Sequence, residues 1–382
     1  MRPGLIVIAG GGIGGLTAAI ALRQAGFCVR VLERAESLRP VGAGITLQVN
    51  AMAALAKLGL AEGVAARGQQ IDFVVSHRPD GSRRTRVDLR SISTQLGAPC
   101  VSIHRCELQA ELLRALGDGA LATGAGVQGL EMPAAGRSRL QTTSGETIEA
   151  DVVIGADGVH SVVRRSLGLN ARESTRYVCW RGVAEPPAGG SGDPHSGAGW
   201  WGNGLAFGCF PLAGNRLYWY ATHRADQPKR VEGCAAKRWL LDCFSGWDAQ
   251  IYAMIEATPC DAIFGTPIFE MAPLAAWGRG AVTLLGDAAH PMTPSMGQGG
   301  GMAIEDAVVL ARCLARAPDA VAGLRAYEAA RRSRTAAMVR VSGRMTAIAH
   351  REGLSAAAAR LAIPFAPQWL RTRQLRRLYR FE

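Results

Sequence analysis

The chain has 382 residues, 48% of them hydrophobic and 19% charged, with a formal net charge of +12. This is the composition of a globular chain with a large core, and no apolar run reaches the roughly 18–20 residues that cross a bilayer, so fibrous, disordered and membrane-spanning classes are excluded. The basic excess is nearly all Arg, spread along the chain rather than set in a stripe among aromatics, so it reads as compositional bias and not as a nucleic-acid surface.

In chain order, Leu5–Ala9 is a short apolar run of the kind a strand buried on both faces needs. Gly10, Gly12 and Gly15 then form G-x-G-x-x-G, with Ile13 and Gly14 inside it. The first glycine permits a sharp turn, the second removes the Cβ that would hold a pyrophosphate away, and the third lets the next helix pack closely. That helix, about 14–24, points its N–H groups and dipole at the phosphates. A second strand, 28–32, ends at Glu33, placed to accept both ribose hydroxyls of an adenosine, with Arg34 next to it. The strand–glycine turn–helix–strand–acid order is far more specific than the glycines alone.

Beyond 35–43, the stretch from Gly42 to Asn50, which contains Gly44, runs into a helix at 51–58. Residues 70–77 and 83–89 are expected as a β pair turned by Pro79–Ser82, and 103–113 as a helix. Short strands are expected at 126–132, which contains Val127, and at 140–143 and 149–154. Val152–Ile154 leads into the tight turn Gly155-Ala156-Asp157-Gly158, which puts a carboxylate and bare backbone at a strand end.

The central region, 174–270, is expected as strands at 177–184, 199–211, 216–222 and 263–271. A Pro/Gly/Ser loop at 186–197 and helices at 239–244 and 248–255 complete it. Alternation puts Tyr218 and Tyr220 on one face and Trp219 on the other. Most of the aromatics here are expected to be core, with the remainder lining an apolar pocket.

A further buried strand from Ala281 ends at Gly286-Asp287. A loop with Pro291 and Pro294 follows, and Gly297-Gln298-Gly299-Gly300-Gly301 opens an apolar helix at 302–315. A helix N-terminus behind bare backbone suits an anionic or electron-rich group, and an Asp before it can bind a polyol. Helices are expected at 326–345 and 354–362, then a basic segment, 369–381, with Leu370, Leu375, Leu378 and Phe381 at roughly helical spacing among five Arg. Such a helix can lie on an anionic membrane or dock on the protein with its Arg in solvent; docking is the reading taken. The nine cysteines include no C-x-x-C pair and no Cys/His cluster at metal spacing, so they read as reduced thiols and no metal is expected. The N-terminus enters its first strand by Gly4 with no charged leader ahead of it, which points to the cytoplasm.

These stretches together resemble the FAD-dependent aromatic hydroxylases, the single-component flavoprotein monooxygenases with the p-hydroxybenzoate hydroxylase fold, most of all the branch similar to salicylate hydroxylase and zeaxanthin epoxidase. The resemblance covers nearly the whole chain. It implies an α/β chain: a Rossmann-like FAD-binding domain of the GR2 type with an inserted β-sheet substrate domain and C-terminal helices. The implied division is 1–72, 103–173 and 273–382 for the FAD domain, and 73–102 and 174–272 for the substrate side.

By the same resemblance Gly10, Gly12, Gly15 and Glu33 hold the ADP half of a non-covalent FAD. Asp157 and Gly158 serve FAD and the nicotinamide cofactor, Gly286 and Asp287 the ribityl chain, Gly297, Gln298 and Gly299 the flavin pyrimidine edge, and Arg105 FAD. Gly301 stands where many members have Asn, which leaves only a backbone contact there. His290 falls to the flavin loop. No second G-x-G-x-x-G appears, so NADH or NADPH is expected to dock transiently at the FAD domain.

The implied reaction is transfer of one oxygen atom from a flavin C4a-hydroperoxide, made with O2, to an electron-rich arene or alkene in a dry pocket. His223, Tyr218 and Tyr220 are the candidates for the base or hydrogen-bond relay, and Arg181, Trp201, Phe210, Tyr218, Tyr220, Pro291 and Pro294 for the substrate wall. The alternatives are a reductase or dehydrogenase of this fold, a halogenase, whose W-x-W-x-I-P and catalytic Lys this chain lacks, and a non-catalytic FAD-binding pathway protein. A monomer or dimer is expected.

Overall fold

The first strand, Ile6–Ala9, is wholly buried and sits at the centre of a five-stranded parallel sheet in a computed structural model that describes residues 4–38, 42–133, 136–169, 173–186, 193–225, 233–350 and 368–381. The strand order is Val282–Leu284, Val152–Gly155, Ile6–Ala9, Val29–Leu32, Leu121–Ala122. Its register matters for function. Ala9 pairs with Gly155, and Gly155 pairs with Leu284. The glycine turn at Gly10, the turn at Asp157 and the turn at Gly286 therefore leave the sheet side by side at its carboxyl edge, where open α/β sheets bind ligands.

The helix Ile13–Gln24 packs on this sheet and against the long helix Gly299–Arg316, which in turn packs on the helix Ala320–Ala349. Two small three-stranded antiparallel sheets flank them, one of Val127–Glu131, Ser138–Thr142 and Thr147–Ala150, the other of Gly44–Leu47, Gln69–Gln70 and Val101–His104.

The second large element is a seven-stranded sheet. Its order is Phe264–Met271, Glu173–Ala184, Arg216–Arg224, Leu205–Leu212, Ser196–Gly202, Phe73–His77, Arg83–Asp88. Helices Gly233–Cys243 and Ala249–Ala257 cover one face over a core that includes Trp180, Trp200, Phe207 and Trp219. The other face meets the first unit through Ala43, Leu212 and Tyr218. A Cβ added at Gly44 would come 2.5 Å from the Tyr218 ring, so Gly44 is what allows the two units to close on each other there.

Several expectations are corrected. The run 199–211 is a hairpin, not one strand: it turns at Gly202-Asn203-Gly204, with Asn203 at φ 48°. The helix expected at 103–113 starts at Arg105, because Ile103 and His104 complete the central strand of a three-stranded sheet and the His104 ring accepts from the Cys106 N–H. Leu89 opens a helix, Leu89–Leu96, because the Asp88 carboxylate caps the Ser91 N–H at 2.9 Å. Two cysteines are not thiols: Cys234 and Cys260 form a disulfide between the helix Gly233–Cys243 and the short turn Cys260–Ala262, a proximity their separation of 26 residues conceals. The expected helix at 354–362 lies outside the described residues.

Candidate active site

Gly10 takes φ +105° and lies so close to Ala156 that a Cβ would strike that residue's carbonyl oxygen. A Cβ on Gly15 would collide with the Gly10 carbonyl. Gly12 is different: nothing of the protein lies within 4 Å of a Cβ built there. Space is therefore kept at the one glycine of the three that should face a pyrophosphate. Gly12 and Ile13 open a cleft of about 490 Å³ together with Ser37, Leu38, Arg105 and Gln109. Gly14 has no room for a side chain either, with Leu285 2.8 Å from its Cβ position, so it belongs to packing.

Glu33 accepts from the Gly11 N–H at 2.7 Å through Oε2 and from the Ala35 N–H at 2.8 Å through Oε1. Each oxygen keeps a second lone pair for a ribose hydroxyl. Arg34 packs on Gly126, the residue before Val127: the Gly126 Cβ position is 2.7 Å from Arg34 Cβ. Asp157 Oδ2 accepts from the N–H groups of Val162 and Val163 at 2.7 and 3.1 Å, while its buried Oδ1 has no partner among the described residues. Gly158, at φ +76°, completes that turn. An orphaned carboxylate oxygen beside an open glycine backbone fits a dinucleotide with polar groups to place there.

The third turn is fixed by groups that leave little mark in the sequence. The Arg164 guanidinium is buried and donates to the carbonyls of Ala288 and Val159, tying the Gly286 turn to the Asp157 turn. Asp306 accepts from the Gly286 N–H at 3.2 Å. Arg331 bridges Asp306 and Glu305 at 2.6 Å each, Arg334 also holds Glu305, and Asn50 donates to Glu305 and to Gln298. The only sequence signal of this network is the Glu305-Asp306 pair inside an otherwise apolar helix.

Asp287 is exposed, yet the protein surrounds it, so it lies at the floor of a recess. Loss of solvent raises its carboxyl pKa, against the lowering charges of His290 and Arg105. Gly299 comes within 3.8 Å of its Oδ1, measured from the added Cβ position, and Gly300 and Gly301 pack on Ile45 and Ala51. Gly297 turns at φ +61°, Pro291 is buried, and Pro294 begins the short turn Pro294–Met296.

Arg105, Asp287, Arg181 and Tyr218 lie close enough for their charges to act on one another. Burial lowers the Arg105 pKa and Arg181 lowers it further, while Tyr218 and Asp287 oppose this. The sheet face above them carries Arg181, Tyr218, Tyr220, Phe210 and Trp201 in register: Arg181 pairs with Tyr220, and Phe210 with Tyr218. Rings on this face lie over glycines. Tyr220 covers Gly208 at 2.5 Å from its Cβ position, and Phe210 covers Gly197. Arg181 donates to Thr266 Oγ1 at 2.7 Å. Burial pushes the Tyr218 phenol up to about 12 and the Tyr220 phenol up as well, so both stay neutral donors near pH 7.

His223 is corrected as a candidate base. Strand alternation turns its ring to the opposite, helix-covered face, where Trp180 Nε1 donates to its Nδ1 at 3.2 Å and the Trp239 ring tilts against it. Burial lowers its pKa to about 4, helped by the nearby His350.

The family model described as "FAD binding domain" matches residues 5–342. Among curated proteins the chain is 43% identical over 333 residues to the aurachin C monooxygenase/isomerase of Stigmatella aurantiaca, covering 87% of this chain and 86% of that protein. It is 34% identical over 345 residues to the FAD-dependent urate hydroxylase of Mycolicibacterium vanbaalenii, with 87% and 86% covered. Among solved structures it superposes on a single-substitution variant of HpxO from Klebsiella pneumoniae in complex with FAD at a TM-score of 0.91, with 27% identity and 98% of each chain covered.

Proposed function

The chain belongs to the FAD-dependent aromatic hydroxylases and is an FAD-dependent monooxygenase; from that premise we propose that its substrate is a planar, electron-rich aromatic ring bearing an ionisable oxygen or ring nitrogen. The observation that carries this is the sheet face of Arg181, Tyr218, Tyr220 and Phe210, with rings laid over Gly197 and Gly208 opposite the Asp287 recess. Urate and 6-hydroxynicotinate, named for two relatives, are substrates of this kind.

Bound FAD, held by Gly10, Gly12, Glu33, Arg34, Arg105, Asp157, Asp287 and the Gly297–Gly301 backbone, supplies reduction by NADH or NADPH and activation of O2. The protein's own part is binding, orientation and exclusion of water. The Arg181 guanidinium, its pKa raised first by the nearby Cys179 sulfur, stabilises negative charge on the ring and so favours the deprotonated, more electron-rich form. The neutral Tyr218 hydroxyl donates to the same oxygen and fixes its direction. The aromatic and glycine floor keeps the reacting face dry.

The domain division given above is part of this reading, as is a cytoplasmic enzyme, monomer or dimer, drawing on the NAD(P)H pool and not binding nucleic acid. Among the described residues no helix is long and apolar enough to cross a membrane. A panel of hydroxylated N-heteroaromatics, phenols, carboxylated arenes and plain alkenes, scored for product formed per NAD(P)H oxidised, tests it. Coupled turnover with ionisable rings is expected, and Arg181→Ala should raise KM for them about 10- to 100-fold. Coupling only with plain alkenes would overturn the substrate class.

A further inference from the structure

The loop that joins the Gly286 turn to the glycine run at Gly297 is held by a row of side chains on the helix Ala320–Ala349. Ser342 and Thr346 stand one turn apart on that helix, and His350, its C-cap, follows four residues on, so the three share one face. Thr293 of the loop and all three of these residues are buried. The hydrogens of the hydroxyls can be placed one by one. Ser342 Oγ donates to the Thr293 carbonyl at 2.6 Å, so its 3.0 Å bond with Thr293 Oγ1 is donated by Thr293. Thr346 Oγ1 donates to Thr293 Oγ1 at 2.7 Å, with the Ser342 carbonyl at 3.0 Å as its second acceptor. That leaves Ser295 as the donor in the 2.5 Å bond between Ser295 Oγ and Thr346 Oγ1. The row therefore runs one way, from Ser295 to Thr346 to Thr293 to Ser342, and ends on the loop's own carbonyl. Hydrogen bonds aligned in this way polarise and strengthen one another.

The same helix face reaches the other unit. His350 Nδ1 lies 2.9 Å from the Thr346 carbonyl, which only accepts, so that nitrogen bears a hydrogen whatever the charge of the ring. Its Nε2 lies 3.0 Å from Thr222 Oγ1, a hydroxyl that can donate or accept, and the ring tilts against Tyr177 at 4.7 Å between centroids. Thr222 is buried, and by strand alternation it shares its sheet face with Tyr218 and Tyr220. One helix end thus joins the loop beyond Asp287 to the strand proposed as substrate wall. We infer that Thr293, Thr346, His350 and Thr222 are positioning residues for the oxygen transfer: they hold the loop on the flavin side in register with the strand on the substrate side. They act through the loop and the strand, not on the reacting atoms. This inference rests on the reading that the Asp287 recess takes the flavin, and it does not depend on which ring the sheet face binds.

The test uses the FAD-loaded protein and reads the flavin rather than turnover. Thr293→Val and Thr346→Val keep the shape of the side chain and remove its hydroxyl. Each should change the visible circular dichroism of the bound flavin and weaken FAD binding about three- to tenfold, as for one lost hydrogen bond. Thr293→Ser, which keeps the hydroxyl, should return both towards wild type. Thr222→Val discriminates, because Thr222 sits on the other unit and is joined to the loop through His350. It should change the same dichroism band, and combined with Thr293→Val it should add less than the sum of the two. Thr258→Val is the control: it removes a buried hydroxyl on the helix-covered side of the same sheet, where Thr258 accepts from Trp219. It should lower the melting temperature and leave the flavin signal alone. A wild-type flavin spectrum in Thr222→Val overturns the proposal. So does a Thr293→Ser protein as altered as Thr293→Val, since shape and not the hydroxyl then matters, and so does strict additivity of Thr222→Val and Thr293→Val. Where Thr293→Val does not fold, Thr346→Val replaces it in each comparison. Asp287→Ala separates the two readings. An unchanged spectrum there refutes the flavin recess, whereas a changed one beside an unchanged Thr222→Val refutes the positioning row alone.

Discussion

Asn50 and Gln298, 248 residues apart in sequence, exchange a reciprocal pair of buried side-chain hydrogen bonds, Asn50 Nδ2 to Gln298 Oε1 at 2.9 Å and Gln298 Nε2 to Asn50 Oδ1 at 3.2 Å. Asn50 Nδ2 also reaches Glu305 at 2.7 Å, so one amide joins the start of the Gly299–Arg316 helix to the charge network beneath it. Asn50→Leu leaves the Gln298 amide unpaired in the core. The expected cost is about 1–3 kcal/mol of stability, together with weaker FAD retention because Gln298 directly precedes the glycine run. Thermal melts of apo and holo protein check it; a melt equal to wild type with full FAD would show that water replaces the pair at no cost.

The three glycines of the first turn should respond differently to the same methyl group. Gly15→Ala and Gly10→Ala collide with backbone carbonyl oxygens and are expected to impair folding even without cofactor. Gly12→Ala meets no protein atom, so the apoprotein should fold normally and lose FAD affinity, and Gly12→Val should abolish binding. Glu33→Ala is expected to weaken binding by about 1–3 kcal/mol. Full FAD occupancy in the Gly12 and Glu33 variants would show the dinucleotide to lie elsewhere.

Asp287→Ala removes the carboxylate at the floor of the recess while leaving the strand and the Asp306 bond to Gly286 in place. Lower flavin occupancy or a misplaced ring is expected, and with it NAD(P)H oxidation uncoupled from product. Peroxide yield per NAD(P)H is the measurement; coupling and affinity both at wild-type values would remove Asp287 from the site.

His223 gives a pH prediction with a definite sign. Its pKa is about 4 in the folded protein and near 6.5 when unfolded. Above about pH 6.5 both states are neutral there and the residue does not alter stability with pH. Between about 6.5 and 4 the unfolded chain binds the extra proton, so stability falls as pH falls, by about 1–3 kcal/mol in all for a partly shielded ring. His223→Gln can still accept from Trp180 and does not titrate, so urea melts at pH 7 and pH 5 should differ less than in wild type. Coupling at pH 7 should not change. Its collapse in this variant would restore His223 as a catalytic candidate.

The legible parts of the fold are those written in local chemistry. Gly10, Gly12, Gly15 and Glu33 announce a dinucleotide turn because Gly10 and Gly15 leave no room for a Cβ, Gly12 keeps space open and Glu33 closes the next strand, and Asp287 stands out as the residue closing a buried strand. Tyr218 and Tyr220 are separable from Trp219 by alternation alone. The same alternation places His223 with Trp219, and following it that far along the strand removes His223 from the candidates. The rest depends on pairing over distance. Nothing near Asn50 tells of Glu305, and nothing near Cys234 tells of Cys260. The Asn203 turn is hidden because Trp201, Leu205 and Phe207 extend the apolar run on both sides of a two-glycine reversal.

The C-terminal helix, Gln368–Tyr379, has a sequence that suits either a membrane surface or docking on the protein, and its contacts argue for docking. Leu375, Leu378 and Phe381 pack against the main core, and Tyr379 is buried at 5% exposure. The Leu378 carbonyl accepts from Arg334 at 3.1 Å, and that guanidinium also holds Glu305, so the helix end is tied to the charge network under the proposed flavin site. Arg376 donates to Gln95 at 2.9 Å. With Tyr379 buried and Leu375, Leu378 and Phe381 partly buried against the core, the helix offers a bilayer mainly Arg, whose attraction salt screens. Tyr379→Ala should therefore cost about 2–4 kcal/mol of stability, and deletion of residues after Pro367 should lower the melting temperature and loosen FAD through Arg334. In flotation with anionic liposomes at physiological salt the intact protein should stay at the bottom of the gradient. Co-migration with the vesicles, lost on that deletion while FAD is retained, would show that the helix leaves the core for the membrane.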